Sequence, residues 1–170
     1  LGEYNKQKKS DDEKPIEVQK SDKKKQNQTG QNLDKLLKIL IKQDVLTSEK
    51  ATDYAKLADQ NNRSLIEILQ EKNIKPVDIR RAQSEKYKLP FIRLDSGQIK
   101  PEAAERIPLD LAKKYQLGAY DQIGERILKV ATTNPGAKAV EEIIEFAQSK
   151  KGIDIKLFVV TQDDLDKIWQ

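Results

Sequence analysis

Leu36-Leu37-Lys38-Ile39-Leu40 returns 29 residues later as Leu65-Ile66-Glu67-Ile68-Leu69, and this recurrence decides the first half of the fold. Leu33, Leu36, Leu37, Leu40 and Ile41 fall at helical spacing and make one apolar stripe. Asp44 breaks the run. Thr47 then offers an N-cap with Glu49 in the first turn, and Ala51, Tyr54, Ala55 and Ala58 continue as a second amphipathic helix up to a loop at Asn61-Asn62. In the second copy Asn73-Ile74 stands where Asp44-Val45 stood. Pro76 takes the first-turn position, and Asp78, Ile79, Ala82 and Gln83 follow, with the offset shortened by one after Ile74. Two helix–turn–helix units can bury their stripes against each other, which neither can do alone. The matching turn residues favour duplication over a chance likeness between amphipathic helices.

Beyond the repeat the period changes. Leu89-Pro90-Phe91-Ile92-Arg93-Leu94 reads as a loop entering a short strand, and Pro101 and Pro108 each open a short helix, with Leu111, Ala112 and Tyr115 facing inward. Leu117–Tyr120 and Ile127–Ala131 read as two strands joined by a turn around Gly124. Val140, Ile143, Ile144 and Ala147 define a helix that stops at Gly152. Ile153, Ile155, Leu157 and Val159 alternate as a strand, and Thr161 caps a last helix carrying Leu165, Ile168 and Trp169. The expected fold class is α+β: a tandem helix–turn–helix repeat over 33–90 followed by a small β-β-α-β-α lobe over 91–170.

Residues 1–32 read differently. Their apolar side chains are limited to Leu1, Tyr4, Ile16 and Val18, among Lys, Gln, Asp, Ser and Asn. Such a segment buries too little surface to offset its ordering entropy and is predicted to be a disordered, charged leader, mobile on the nanosecond timescale. Lys23-Lys24-Lys25 is a local basic cluster, diluted by Asp11-Asp12-Glu13, and a solvated linker is the plainer reading. The chain contains no Met, so it is expected to be a piece of a longer protein or to have been processed at its start. No apolar run is long enough to cross a bilayer, and no signal-peptide core follows the early lysines.

Composition narrows the chemistry. Cys and His are both absent, which removes disulfides, Cys or His metal sites and imidazole acid–base catalysis. Basic and acidic residues, 32 and 28, are mixed along the chain to a net charge of +4; this is not the concentrated face of a nucleic-acid binder, and no specific nucleic-acid partner is expected. No G-x-x-x-x-G-K-[ST], G-x-G-x-x-G or G-x-S-x-G occurs. The carboxylate pairs Glu141-Glu142 and Asp163-Asp164 lie on helices beside apolar stripes, where solvated faces are the ordinary outcome. Trp169, at helical spacing from Leu165, reads as core or edge before it reads as a stacking platform. No catalytic residue, metal site or cofactor is expected.

Taken in order, Leu89-Pro90-Phe91-Ile92-Arg93-Leu94, Ile107-Pro108 through Ala112 and Tyr115, Leu128-Lys129-Val130-Ala131-Thr132-Thr133-Asn134-Pro135, and Val160-Thr161 with Asp164 carry a likeness to a known module. From about Leu33 to Gln170 the chain resembles the N-terminal domain of the type II secretion and type IV pilus-assembly ATPases. The resemblance implies a non-catalytic docking or regulatory domain, cytoplasmic and peripheral to the inner membrane. Its partners would be an inner-membrane assembly protein and the C-terminal motor domain of the same chain, with the phosphate loop beyond Gln170.

In some members the helical repeat binds cyclic di-GMP through Arg-Leu-Gly at the start of each copy, a Gly before the second helix and a Gln further on. Here the copies read Lys35-Leu36-Leu37 with Asp44, and Ser64-Leu65-Ile66 with Asn73, so the Arg and both glycines are replaced in each. Loss of Gly hinders close backbone approach, and Asp44 adds negative charge near a dianionic ligand. Cyclic di-GMP binding is the alternative function, with weak or absent affinity expected from the degraded repeat. Lys35, Arg63 and Arg80 are the candidate phosphate-binding residues, since phosphates need cationic donors, and ordinary surface charge is the plainer reading of all three. For the docking reading, the candidates are Ile39 and Ile68. Each widens its helix's apolar arc beyond one stripe, so one helix either offers spare apolar surface to a partner, or the two arcs bury each other or pack against the α/β lobe.

Overall fold

A computed structural model describes residues 33–170, so the expectation for residues 1–32 lies outside the described residues. Asp34 opens the first helix by accepting a 2.7 Å hydrogen bond from the Leu36 N–H, and α1 runs Lys35–Lys42. Thr47 caps α2 (Ser48–Asn61), Ser64 caps α3 (Leu65–Glu71), and Pro76 is the first residue of α4 (Pro76–Tyr87). The duplication is visible in the turns. Val45 N–H donates to Leu40 O and Ile74 N–H to Leu69 O, both at 3.0 Å, around Asp44 and Asn73 at φ 57° and 60°. These are left-handed caps with a six-residue bond back into the helix. Asn62 and Lys88 end α2 and α4 in the same way, with bonds from Arg63 to Ala58 and from Leu89 to Ser84. Leu37, Leu40, Leu69 and Ile79 are fully buried between the four helices, each contributing about 2 kcal/mol of transfer free energy.

After Lys88 the chain crosses to a three-stranded sheet. β1 (Leu117–Ile123) pairs antiparallel with β2 (Ile127–Thr132), with a bulge between Ala119 and Asp121. β2 pairs parallel with β3 (Asp154–Val159), in the order β1-β2-β3. Two short helices, α5 (Pro101–Ala104) and α6 (Leu109–Tyr115), precede the sheet, α7 (Lys138–Lys151) makes the crossover from β2 to β3, and α8 (Gln162–Trp169) ends the chain. Strand alternation sorts side chains to the two faces. Leu117, Ala119, Leu128 and Val130 meet Val140 of α7, while Tyr120 and Ala131 meet Leu165 and Ile168 of α8. Gly118 lets α8 close in, because a Cβ there would lie 2.9 Å from Ile168 Cγ2.

The β-β-α-β-α order matches the sequence expectation, and two local readings do not. Phe91–Leu94 is not a strand. Phe91 makes one parallel bridge to Val159, with Ile92 N–H donating to Val159 O (3.0 Å) and Val159 N–H to Pro90 O (2.9 Å). Pro90 has no N–H to extend the ladder, and Arg93 is drawn away by Asp164. Leu111 points outward instead of inward, while Ala112 is buried and Tyr115 half-buried.

Candidate functional site

Helix α6 leaves two large apolar side chains exposed. Pro108 is its N-cap and sets the direction of a seven-residue helix whose Ala112 packs inward. So short a helix cannot turn all its leucines to one side, and Leu109 and Leu111 remain 50% and 41% exposed. Phe146 of α7, 56% exposed, stands off the Val140–Ile143–Ile144–Ala147 stripe. Between α6 and α7 runs a groove of about 390 Å³ walled by Ile107, Leu111, Tyr115, Ile143, Phe146 and Ile153, with Arg106, Glu142 and Lys151 also lining it. On the other side of α6 a second cavity of about 550 Å³ reaches Ile99, Leu109 and Trp169. Large apolar side chains exposed together mark interaction sites more often than scattered single ones do. Phe146 and Leu109 carried no sequence signal beyond lying off a helical stripe.

The polar interior is arranged around carboxylates. Asp164 is fully buried and is held by Arg93 Nε (2.7 Å), Lys167 Nζ (2.9 Å) and Thr161 Oγ1 (3.0 Å). Burial alone would push its carboxyl up, and the hydrogen bonds from Lys167, Arg93 and Thr161 outweigh that and hold it below its ordinary value. Lys167 also donates to Leu94 O at 2.7 Å, so α8 is tied to the segment that enters the sheet. Among the described residues no three His, Cys, Asp or Glu side chains gather as a metal site.

The cations singled out in the repeat sit in three different settings. Lys35 is exposed at the start of α1. Arg63 is exposed and already engaged, with Nη1 2.7 Å from Glu71 and Nε 3.6 Å from Glu67; the Glu71 hydrogen bond leads in raising its pKa. Arg80 is 5% exposed inside α4. It donates from Nη1 to Gln83 Oε1 (2.7 Å), its Nε lacks a partner, and burial lowers its pKa. Among the described residues no acceptor is shared by any two of the three.

Ile39 and Ile68 do not offer spare surface to a partner, and of the two expected outcomes it is burial that the structure shows. They are 5% and 2% exposed. α1 packs against both α4 and α2, and α3 against both α2 and α4, so each broad apolar arc is covered on two flanks.

Residues 87–170 match the family model of the MshEN domain. The match leaves out residues 33–86, which hold the helical repeat. No curated protein sequence matches the chain significantly. Among solved structures, the chain is similar to MshE, solved with cdg, at 13% identity and a TM-score of 0.67, over 80% of this chain and 96% of that one. It is also similar to the N-terminal domain of XpsE at 14% identity and a TM-score of 0.57, over 79% and 91% of the two chains. At such identities the likeness speaks for the fold. Residues 87–170 thus match the MshEN domain, and the chain shares its fold with MshE and with the N-terminal domain of XpsE.

Proposed function

We propose that this domain is the non-catalytic docking and regulatory module of a secretion or pilus-assembly motor, coupling a hexameric P-loop ATPase domain of the same polypeptide to an inner-membrane assembly protein. In this reading it works in the cytoplasm, peripheral to the inner membrane, and needs no cofactor of its own. The observation that carries it is the groove between α6 and α7, with Leu111 and Phe146 exposed at its walls. Two of its three charged lining residues, Arg106 and Lys151, are basic, which suits an amphipathic helix with acidic flanks from the cytoplasmic part of the assembly protein. The test is a photo-crosslinker at position 146 in the full-length motor. The expected product joins it to the inner-membrane assembly protein, Leu111→Asp abolishes that crosslink, and Leu111→Asp with Phe146→Asp, without the crosslinker, abolishes secretion or pilus assembly. A folded double variant with full transport overturns the reading.

The second reading is cyclic di-GMP binding that regulates the motor. What favours it is the fold shared with MshE, solved with cdg. Against it stand Asp44 and Asn73 in place of the glycines, and an Arg63 already engaged by Glu71 and Glu67. Calorimetry separates the two readings: micromolar binding that disappears on Lys35→Ala promotes this one.

A further inference from the structure

A third cleft, sharing no lining residue with the α6–α7 groove, opens beside the 3₁₀ turn Ser96–Gln98. It encloses about 410 Å³, within the range of small-ligand sites, over a floor that includes Leu94 and Tyr120. Arg93, Lys100 and Lys129 all line it, with a single carboxylate, Asp121, among them.

The cations are held in place. Asp121 Oδ1 lies 2.5 Å from Lys100 Nζ and accepts from the Gln122 N–H at 2.8 Å, and its Oδ2 accepts from Lys129 Nζ at 2.9 Å. One carboxylate thus serves two ammonium groups. Arg93 is gripped from behind through Nε alone by the buried Asp164, which also takes Lys167. Both terminal nitrogens of Arg93 lack a hydrogen-bond partner among the described residues. A guanidinium fixed by its Nε presents its terminal pair as a preformed fork for an oxyanion. Four cations face two carboxylates here, so two positive charges are in surplus. Asp95, next along the chain, does not line the cleft.

We propose that this cleft binds a dianionic phosphate monoester, with the terminal nitrogens of Arg93 on two phosphate oxygens and Lys100 and Lys129 on the remaining charge. A lone carboxylate would be satisfied by the arginine fork and leave the surplus charge unmatched, whereas a phosphate monoester matches it. The concave shape suits a phosphate group and its first few atoms more than the side of a helix. The phosphate can come from a free metabolite or from a lipid headgroup.

The test titrates the full chain, labelled for NMR, with inorganic phosphate and pyrophosphate. In parallel, phosphatidic acid vesicles are compared with phosphatidylcholine vesicles in a flotation assay. Saturable shifts at the Gly97, Gln98 and Lys129 amides are expected from at least one phosphate source, and the arm that responds more strongly names the source. Arg93→Lys keeps the charge that faces Asp164 but loses the fork, and weakens binding about tenfold. Lys129→Gln, which leaves the Asp164 cluster untouched, weakens it several-fold. Melting temperatures of both variants check the fold. No saturable response in either arm overturns the proposal, as does unchanged binding by a folded Arg93→Lys variant or equal competition by chloride.

Discussion

In the helical repeat, the broad apolar arcs of α1 and α3 end up inside, down to Ile39 and Ile68 at 5% and 2% exposure. In the α/β part, Leu109, Leu111, Ile123 and Phe146 stay outside. Ion pairs are distributed the other way. The ion pairs of the repeat lie on its surface, as at Lys42–Glu85 and Arg63–Glu71, while the α/β part buries Asp164 completely under two cations. A four-helix arrangement with helices packed on two flanks has room for every leucine. A three-stranded sheet is too narrow for the helices around it, and α6 and the outer side of α7 extend past its cover. Exposed apolar surface therefore comes mainly from the part of the molecule whose geometry leaves some over, not from the part richest in leucine.

The strongest way to break this comparison is to put a charge on each kind of position. Ile39→Asp and Ile68→Asp are expected to unfold the repeat, each costing more than about 4 kcal/mol, because an aspartate there is buried without a partner. Leu111→Asp and Phe146→Asp are expected to change stability by less than about 0.5 kcal/mol. Urea denaturation of the four variants reads the contrast directly, and equal losses at all four erase it.

Asp164→Asn is expected to cost about 2 kcal/mol. It removes a charged acceptor from Lys167 and weakens the hold on Arg93, whose half-exposed side chain recovers part of its solvation. Acid sharpens the point. Asp121, under hydrogen bonds from Lys100 and then Lys129, is held at about 2 against an ordinary 3.8, and Asp164 is also held below its ordinary value. A carboxylate depressed in the folded state contributes its full stabilisation above its unfolded value and loses it as pH falls through the folded one. Stability should therefore drop between about pH 4 and pH 2. Melting curves of Asp121→Asn across that range should show a shallower slope than the parent; an identical slope removes Asp121 from the account.

The smallest effect sits in the turns of the repeat. Asp44→Gly and Asn73→Gly should each stabilise by about 0.5 kcal/mol, since both positions have positive φ and only Gly takes it without steric cost. Thermal melts check this, and a loss at either position would mean the side chain contributes more than its backbone strain costs.

Periodicity made most of the fold legible. The doubled stripe gave four helices, and Thr47, Pro76, Gly152 and Thr161 stand at the ends of elements where their chemistry belongs. The turn residues Asp44 and Asn73 were visible as substitutions for glycine, and their left-handed backbone gives the reason Asp and Asn are tolerated there. What failed was any judgement that depends on how many neighbours a helix has. The width of an apolar arc does not tell whether a second flank is covered, so Ile39 and Ile68 read equally as surplus or as core, and they are core. Arg80 follows Ile79 on a helix that packs on α1 and reaches β3, so a residue that looks solvated in sequence is buried. The cleft around Asp121 brings Arg93, Lys100 and Lys129 together from three segments, and no local spacing announces that.

The parallel pairing of β2 with β3 also sets an order in time. Antiparallel β1–β2 closes through a tight turn at Gly124, but β3 can take its place only after the whole of α7 has been made and laid across the sheet. On a ribosome, α1 to α4 are complete before any of this begins. At that stage the nascent chain carries a finished helical repeat followed by a two-stranded hairpin with Leu128, Val130 and Ala131 uncovered. A half-made sheet of this kind is the species most open to misassembly and to capture by a chaperone, and it persists until α8 closes over β1.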